Sequence, residues 1–130
     1  MAGPARFILY VRDQRAAADF YRAALALEPA LDVPGMTEFP LPGGGLLGLM
    51  PAAGIRRLLG DALPDPARGD GIPRAELYIE VDDPVGALAR ALLAGARRLA
   101  PVVPRDWGHE AGYCLDPDGH VLAFARVLSD

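Results

Sequence analysis

Lysine is missing from this 130-residue chain: all 13 basic side chains are arginine, set against 17 acidic ones. The formal charge is −4 and the pI about 5.1, so the chain has no basic footprint for nucleic acid. Arginine without lysine, beside abundant Ala, Pro and Gly, reflects GC-rich coding and not mechanism. Cysteine is almost as scarce. Cys114 stands alone, which excludes an intramolecular disulfide and paired-cysteine metal or redox motifs. No apolar run reaches the roughly 20 residues of a membrane-spanning helix, and the N-terminus lacks a signal-peptide pattern. A soluble cytoplasmic protein with no membrane or nucleic-acid partner is expected. With 52% hydrophobic and 23% charged residues, the chain can bury a core and is not disordered.

What is present is a repeat. Residues 6–13 read RFILYVRD and residues 76–83 read ELYIEVDD. Both alternate apolar residues, end in Val-x-Asp and run into a helical stretch. Each copy later reaches a Gly-led apolar strand, GGLLGL at 44–49 and GHVLAF at 119–124. Two copies of one supersecondary unit are implied, with function expected in a cleft between them.

Alternation predicts a first strand over 6–12, with Phe7, Leu9 and Val11 on one face and Arg6, Ile8, Tyr10 and Arg12 on the other. Asp13 is a good N-cap for a helix to about Leu27, with Ala16, Phe20, Ala24 and Leu27 along one face. Strands over 28–33 and 36–41 join at Pro34-Gly35, and Leu46–Met50 reads as another. The Gly43–Gly45 run lacks a following Lys-Ser/Thr and helix, so it reads as a hairpin turn and not a phosphate loop. Residues 53–73 interrupt the pattern as a linker, with a helical turn in IRRLLGDAL and a Pro/Gly-rich join after it. The second half repeats the plan: strand 76–81, then a helix capped by Asp83, started by Pro84 and ended by Gly95. Strands near 98–103, 110–116 and 121–127 follow, with the DPDG turn before the last. The layout is α+β: paired βαβββ modules over about 5–52 and 74–128, forming a curved-sheet cleft with outer helices in one domain.

This plan resembles the vicinal oxygen chelate superfamily, which includes glyoxalase I, extradiol dioxygenases, fosfomycin-resistance enzymes and bleomycin-resistance proteins. The residues carrying the resemblance are V-R-D with A-x-x-F-Y (Val11–Tyr21), EVDD (Glu80–Asp83) and the long motif Trp107–His120. In metal-dependent members, ligands come from the first and last strands of each half. The resemblance carries those positions onto Arg6, Gly48, Glu76 and Ala123. Gly and Ala have no side-chain donor and Arg is a permanent cation, so one carboxylate remains. No metal and no cofactor is therefore expected, unless Asp61, Asp65 or Asp70 supplies a donor.

The groove is then expected to be apolar and aromatic, its ligand-binding residues being Arg6, Ile8, Tyr10, Gly48, Met50, Glu76, Tyr78, Trp107 and Ala123. Several readings stay open. Arg6 and Glu76 either bind and orient a ligand or form a structural ion pair with each other. Trp107 either stacks on a planar ligand or packs against protein. His109 is either an acid–base group or a lone surface histidine, and His120 is read as structural. Tyr10 and Tyr78 are taken as equivalent positions of the repeat. Arg56 and Arg57 either reach over a ligand or are a solvated pair. Cys114 reads as buried and inert. The resemblance implies a homodimer that sequesters a drug or metabolite, as bleomycin-resistance proteins do. Alternatives are a metal-dependent glyoxalase-like lyase, isomerase or dioxygenase, and a non-catalytic assembly module. No catalytic residue is assigned.

Overall fold

The computed structural model describes residues 3–69 and 72–129. The chain divides into two compact units: Met1–Arg22 with Leu27–Ile72, and Ala23–Ala26 with Pro73–Asp130. Each unit holds one four-stranded mixed sheet, and the class is α+β, as the repeat implies.

In the first unit, β1 (Arg6–Val11) leads into α1 (Gln14–Leu25), followed by β2 (Leu31–Val33), β3 (Met36–Pro40) and β4 (Leu46–Pro51). The strand order is β1-β4-β3-β2, with β1 parallel to β4 and the other neighbours antiparallel. Asp13 caps α1 as expected, its Oδ1 accepting from the Ala16 N–H at 2.9 Å. The helix stops short of Leu27 because Ala26 turns to a φ of 54°, a left-handed conformation that cannot continue a right-handed helix. The strand expected from residue 28 accordingly begins only at Leu31.

Gln14 ties the start of α1 to the β2–β3 hairpin. Its amide nitrogen donates to the Val33 carbonyl at 2.8 Å and to Thr37 Oγ1 at 2.9 Å, and its oxygen accepts from the Gly35 N–H at 2.9 Å. Thr37 is fully buried and donates onward to Asp32. The polar groups at this corner are thus paired, as burial requires. One sheet face buries Leu9, Val11, Phe39, Leu47 and Leu49. Phe7, assigned to that face by alternation, is exposed.

Residues 53–73 are not a bare linker. They carry α2 (Ala52–Leu59), a full helix in place of the single turn expected. It buries Ala52 and Ile55 and packs beside β1 and β4. Arg56 is not simply solvated. It closes the helix end, donating to the Gly60 carbonyl at 3.1 Å and the Leu63 carbonyl at 3.4 Å, with Asp61 at 3.5 Å.

In the second unit, β5 (Glu76–Glu80) leads into α3 (Pro84–Leu93), then β6 (Arg97–Pro104), β7 (His109–Leu115) and β8 (Val121–Val127). The order β5-β8-β7-β6 repeats that of the first sheet, with β5 parallel to β8. Asp83 caps α3 by accepting from the Gly86 N–H at 3.0 Å. Gly95, at a φ of 117°, turns the chain out of it. Pro101 sits in the edge strand β6 within the register shift between Ala100 and Val103, where a missing N–H breaks no ladder that must be kept.

α3 packs on β6, β7 and β8. The approach depends on Gly112. A Cβ there would stand 2.7 Å from Val102 Cγ2, 2.9 Å from Leu88 Cδ2 and 3.1 Å from the Val102 backbone nitrogen. Gly112→Val is expected to cost about 1–3 kcal/mol through overpacking, read as a lower urea midpoint. A midpoint equal to wild type would mean that α3 does not sit this close to β7.

Cys114 is fully buried on the same sheet face. Burial first, and the neighbouring Asp116 charge second, push its thiol up to about 11 from the ordinary 9.0. The unfolded chain loses this proton first. Between about pH 9 and 11 the folded protein therefore holds a proton that the unfolded chain lacks, and stability falls as pH rises through that window. Cys114→Ala is expected to flatten this part of the alkaline stability profile. Urea melts of both proteins across the window measure the difference.

Candidate functional site

In the first unit, the sheet face away from the buried core carries Arg6, Ile8 and Tyr10 on β1, all exposed, alternating with buried Leu9 and Val11. Their register partners on β4 are Leu46, Gly48 and Met50. Alternation thus brings Arg6, Ile8, Tyr10, Gly48 and Met50 onto one surface. Gly48 leaves no hole: a Cβ there would stand 3.0 Å from Ile8 Cγ1 and 3.1 Å from Met36 Sδ, so these two side chains already fill the position.

Glu76 lies in the other unit, and the partner the structure gives Arg6 is one that sequence reasoning passed over. Arg6 Nε donates to Glu38 Oε2 at 2.7 Å. Glu38 lies on β3 opposite Gly48 and is 7% exposed. Its signal was available: in the expected strand over 36–41, a carboxylate alternates with buried Thr37 and Phe39.

Beside β1 the segment after α2 forms an open pocket of about 640 Å³, lined by Tyr10, Leu63, Pro64, Asp65, Pro66, Arg68 and Gly69. This volume falls in the range of small-molecule sites. Its walls are mostly apolar: one phenol ring, a leucine and two prolines. The two charged residues are Arg68 and Asp65. Asp65 Oδ1 accepts from the Ala67 N–H at 3.0 Å and so shapes the turn. In sequence this segment reads as a join, and its Pro/Gly pattern gives no local sign of a lining role.

In the second unit, Tyr78 on β5, Ala123 on β8 and Tyr113 on β7 stand side by side in register. The corresponding trio in the first unit is Ile8, Gly48 and Glu38. The counterpart of Tyr78 is therefore Ile8, two residues before Tyr10, and the expected equivalence of Tyr10 and Tyr78 is corrected. Ala123 is fully buried, together with Ala111 and Ala125 on the same face.

Around this floor three side chains join. Trp107, 54% exposed in the turn before β7, donates its Nε1–H to Tyr78 Oη at 2.9 Å. Tyr78 Oη lies 2.7 Å from His109 Nδ1, and the two rings are tilted by 32° with centroids 5.8 Å apart. His109 is thus half-buried and bonded, not a lone surface histidine. Next to them the Arg105 guanidinium sits 5.2 Å over the Tyr113 ring and donates to the Ala111 and Pro101 carbonyls. Burial, then the charges of Glu76 and Tyr78, raise the Tyr113 phenol, and Arg105 partly opposes them. His120 stands at the DPDG turn, its backbone N–H donated to Asp116 Oδ1 at 2.8 Å.

The superfamily's divalent metal does not fit this donor set. Arg6 already pairs with Glu38, Gly48 and Ala123 offer no side-chain donor, and Glu76 is exposed on β5. Among the described residues no group of three or more His, Cys, Asp or Glu side chains is placed to hold a metal ion. Of the fallback donors, Asp61 points to solvent beside Arg56, Asp65 caps a turn, and Asp70 lies outside the described residues. Among the described residues no helix is long and apolar enough to cross a membrane.

Solved structures share this fold across nearly the whole chain. A glyoxalase-related enzyme from Fulvimarina pelagi is 23% identical, with 97% of this chain and 88% of that one covered and a TM-score of 0.78. A glyoxalase/bleomycin resistance protein/dioxygenase family enzyme from Burkholderia phytofirmans PsJN is 18% identical, covering 98% and 100%, with a TM-score of 0.82. A glyoxalase/bleomycin resistance protein/dioxygenase from Nocardioides is 22% identical, covering 99% and 85%, with a TM-score of 0.76. No curated protein matches the chain. The glyoxalase-like domain profile matches residues 6–125. The chain belongs to the glyoxalase-like domain family, within the vicinal oxygen chelate superfamily.

Proposed function

We propose that this protein is a metal-free small-molecule-binding member of the glyoxalase-like family that sequesters a drug or metabolite, in the manner of bleomycin-resistance proteins. The observation that carries the reading is the open pocket of about 640 Å³ against Tyr10. An apolar wall with one phenol and two charged residues suits a mostly apolar, flat ligand held by shape and oriented by few polar contacts. The ring of Tyr10 supplies area at low entropic cost, and Arg68 offers an anion-binding fork at the wall. The donor set at the ancestral metal positions supports the same reading, since electrophilic activation needs several nitrogen or oxygen ligands. A homodimer in the cytoplasm completes the proposal.

The test is a screen of planar aromatic drugs and metabolites by native mass spectrometry, with hits titrated by calorimetry. Tyr10→Ala is expected to weaken a hit about 10- to 100-fold, the worth of roughly 1.5–3 kcal/mol of aromatic burial. Hits that bind Tyr10→Ala as tightly as wild type would remove the cavity from the account.

A further inference from the structure

We propose that the row Arg6, Ile8 and Tyr10 on β1 selects an elongated aromatic acid: the ring seats in the open pocket at Tyr10, the chain lies along Ile8, and the carboxylate docks on Arg6. The inference rests on the binding role proposed for that pocket and names the class of ligand it takes. Every residue in it belongs to the first unit.

Arg6 is the anchor because of how it is held. Its Nε donates to Glu38 Oε2 at 2.7 Å, with the Glu38 side chain 9% exposed and that of Arg6 48% exposed. A guanidinium has five N–H donors in a fixed plane. The bond to Glu38 engages the Nε–H, and Nη1 with Nη2 still makes an end-on fork that matches the two oxygens of a carboxylate. Glu38 is itself set between buried Thr37 and Phe39 on β3. A nearly buried carboxylate thus holds a half-exposed cation in place before a ligand arrives. Ordering a long side chain is part of what binding costs, and here folding has already done it.

Between anchor and pocket the surface is apolar. Ile8 is exposed between Arg6 and Tyr10, Ile8 Cγ1 and Met36 Sδ close over Gly48, and Met50 lies in register with Tyr10. The nearby carboxylates have donors of their own: Asp32 accepts from Thr37, and Asp65 from the Ala67 N–H. On a strand rising about 3.3 Å per residue, the Cα atoms of Arg6 and Tyr10 stand about 13 Å apart. A short acid with its ring at Tyr10 therefore falls short of Arg6, and the cation within its reach is Arg68 of the pocket wall. Ligand length separates the two anchors.

The probes are phenylacetate, 4-phenylbutanoate, 6-phenylhexanoate and 8-phenyloctanoate, each with its primary alcohol, titrated by calorimetry into the full chain. The alcohol measures burial of ring and chain, so the ratio of acid to alcohol affinity isolates the carboxylate. The expected ratio is near one for phenylacetate and about tenfold or more for 8-phenyloctanoate, the worth of a charge-assisted fork. Arg6→Lys keeps a charge beside Glu38 without the fork and loses most of that ratio. Arg6→Met combined with Glu38→Gln leaves no lone buried charge. It brings the ratio to one along the whole series with the alcohol affinities of wild type, which also shows that the pocket is folded. A ratio flat along the series, a ratio largest for phenylacetate, which puts the anion on Arg68, or a long-chain ratio that survives the double variant would each overturn the proposal. If neither acids nor alcohols bind, the pocket reading fails and this one falls with it, so the alcohols tell the two failures apart.

Discussion

Phe39→Ala is expected to destabilise the protein by about 3–5 kcal/mol, the range for emptying a buried aromatic site. Phe39 is fully buried on β3, opposite Leu47, itself fully buried. Total stabilities of such domains are roughly 5–15 kcal/mol, so this one ring accounts for a large share. The consequence reaches the site. β3 also carries Glu38, the carboxylate that fixes Arg6, and Thr37, which receives Gln14 from α1. Loosening β3 frees both ties at once. Urea unfolding followed by far-UV circular dichroism measures the effect, seen as a lower midpoint at constant slope. A loss under about 1 kcal/mol would show that the β3 core is not packed as described.

Asp116→Ala is expected to cost about 2–4 kcal/mol, because two bonds to a charged acceptor are lost together. Asp116 is 4% exposed, and its Oδ1 accepts the Asp118 N–H at 2.9 Å and the His120 N–H at 2.8 Å. These bonds form the turn that sets β7 against β8. The register they fix places Tyr113 beside Ala123. Asp116→Asn keeps an acceptor oxygen and is expected to recover about half of the loss. It also removes a charge that raises the Cys114 thiol, so thiol ionisation, followed by ultraviolet absorbance, moves to lower pH. If Asn costs as much as Ala, the carboxylate acts through its charge and not as the acceptor that organises the turn.

The fold was readable because its signals are local and doubled. Alternation in 6–11 and 76–80, Asp13 and Asp83 as caps, Pro84 at a helix start and DPDG before β8 each rest on neighbours in sequence. What local pattern could not show was contact across strands. The Arg6–Glu38 pair depends on β1 and β3 both flanking β4, an order no single segment encodes. Tyr78 alternates with buried Leu77 and Ile79, yet its bonds to His109 and Trp107 follow from where β7 and the turn before it stand. Residue type pairs Tyr10 with Tyr78, whereas strand register pairs Ile8 with Tyr78. Nothing local to Gly112 marks its role, which depends on Leu88 and Val102 standing against it.

The central claim is that this glyoxalase-like chain binds its ligand without a resident metal. The most direct test is elemental analysis of protein purified without chelators or metal resins, with nickel, zinc and manganese titrated into the same sample. The account predicts no stoichiometric metal and no saturable binding by any of the three. One tightly bound ion per chain would contradict it, and would return a metal-dependent lyase, isomerase or dioxygenase to first place.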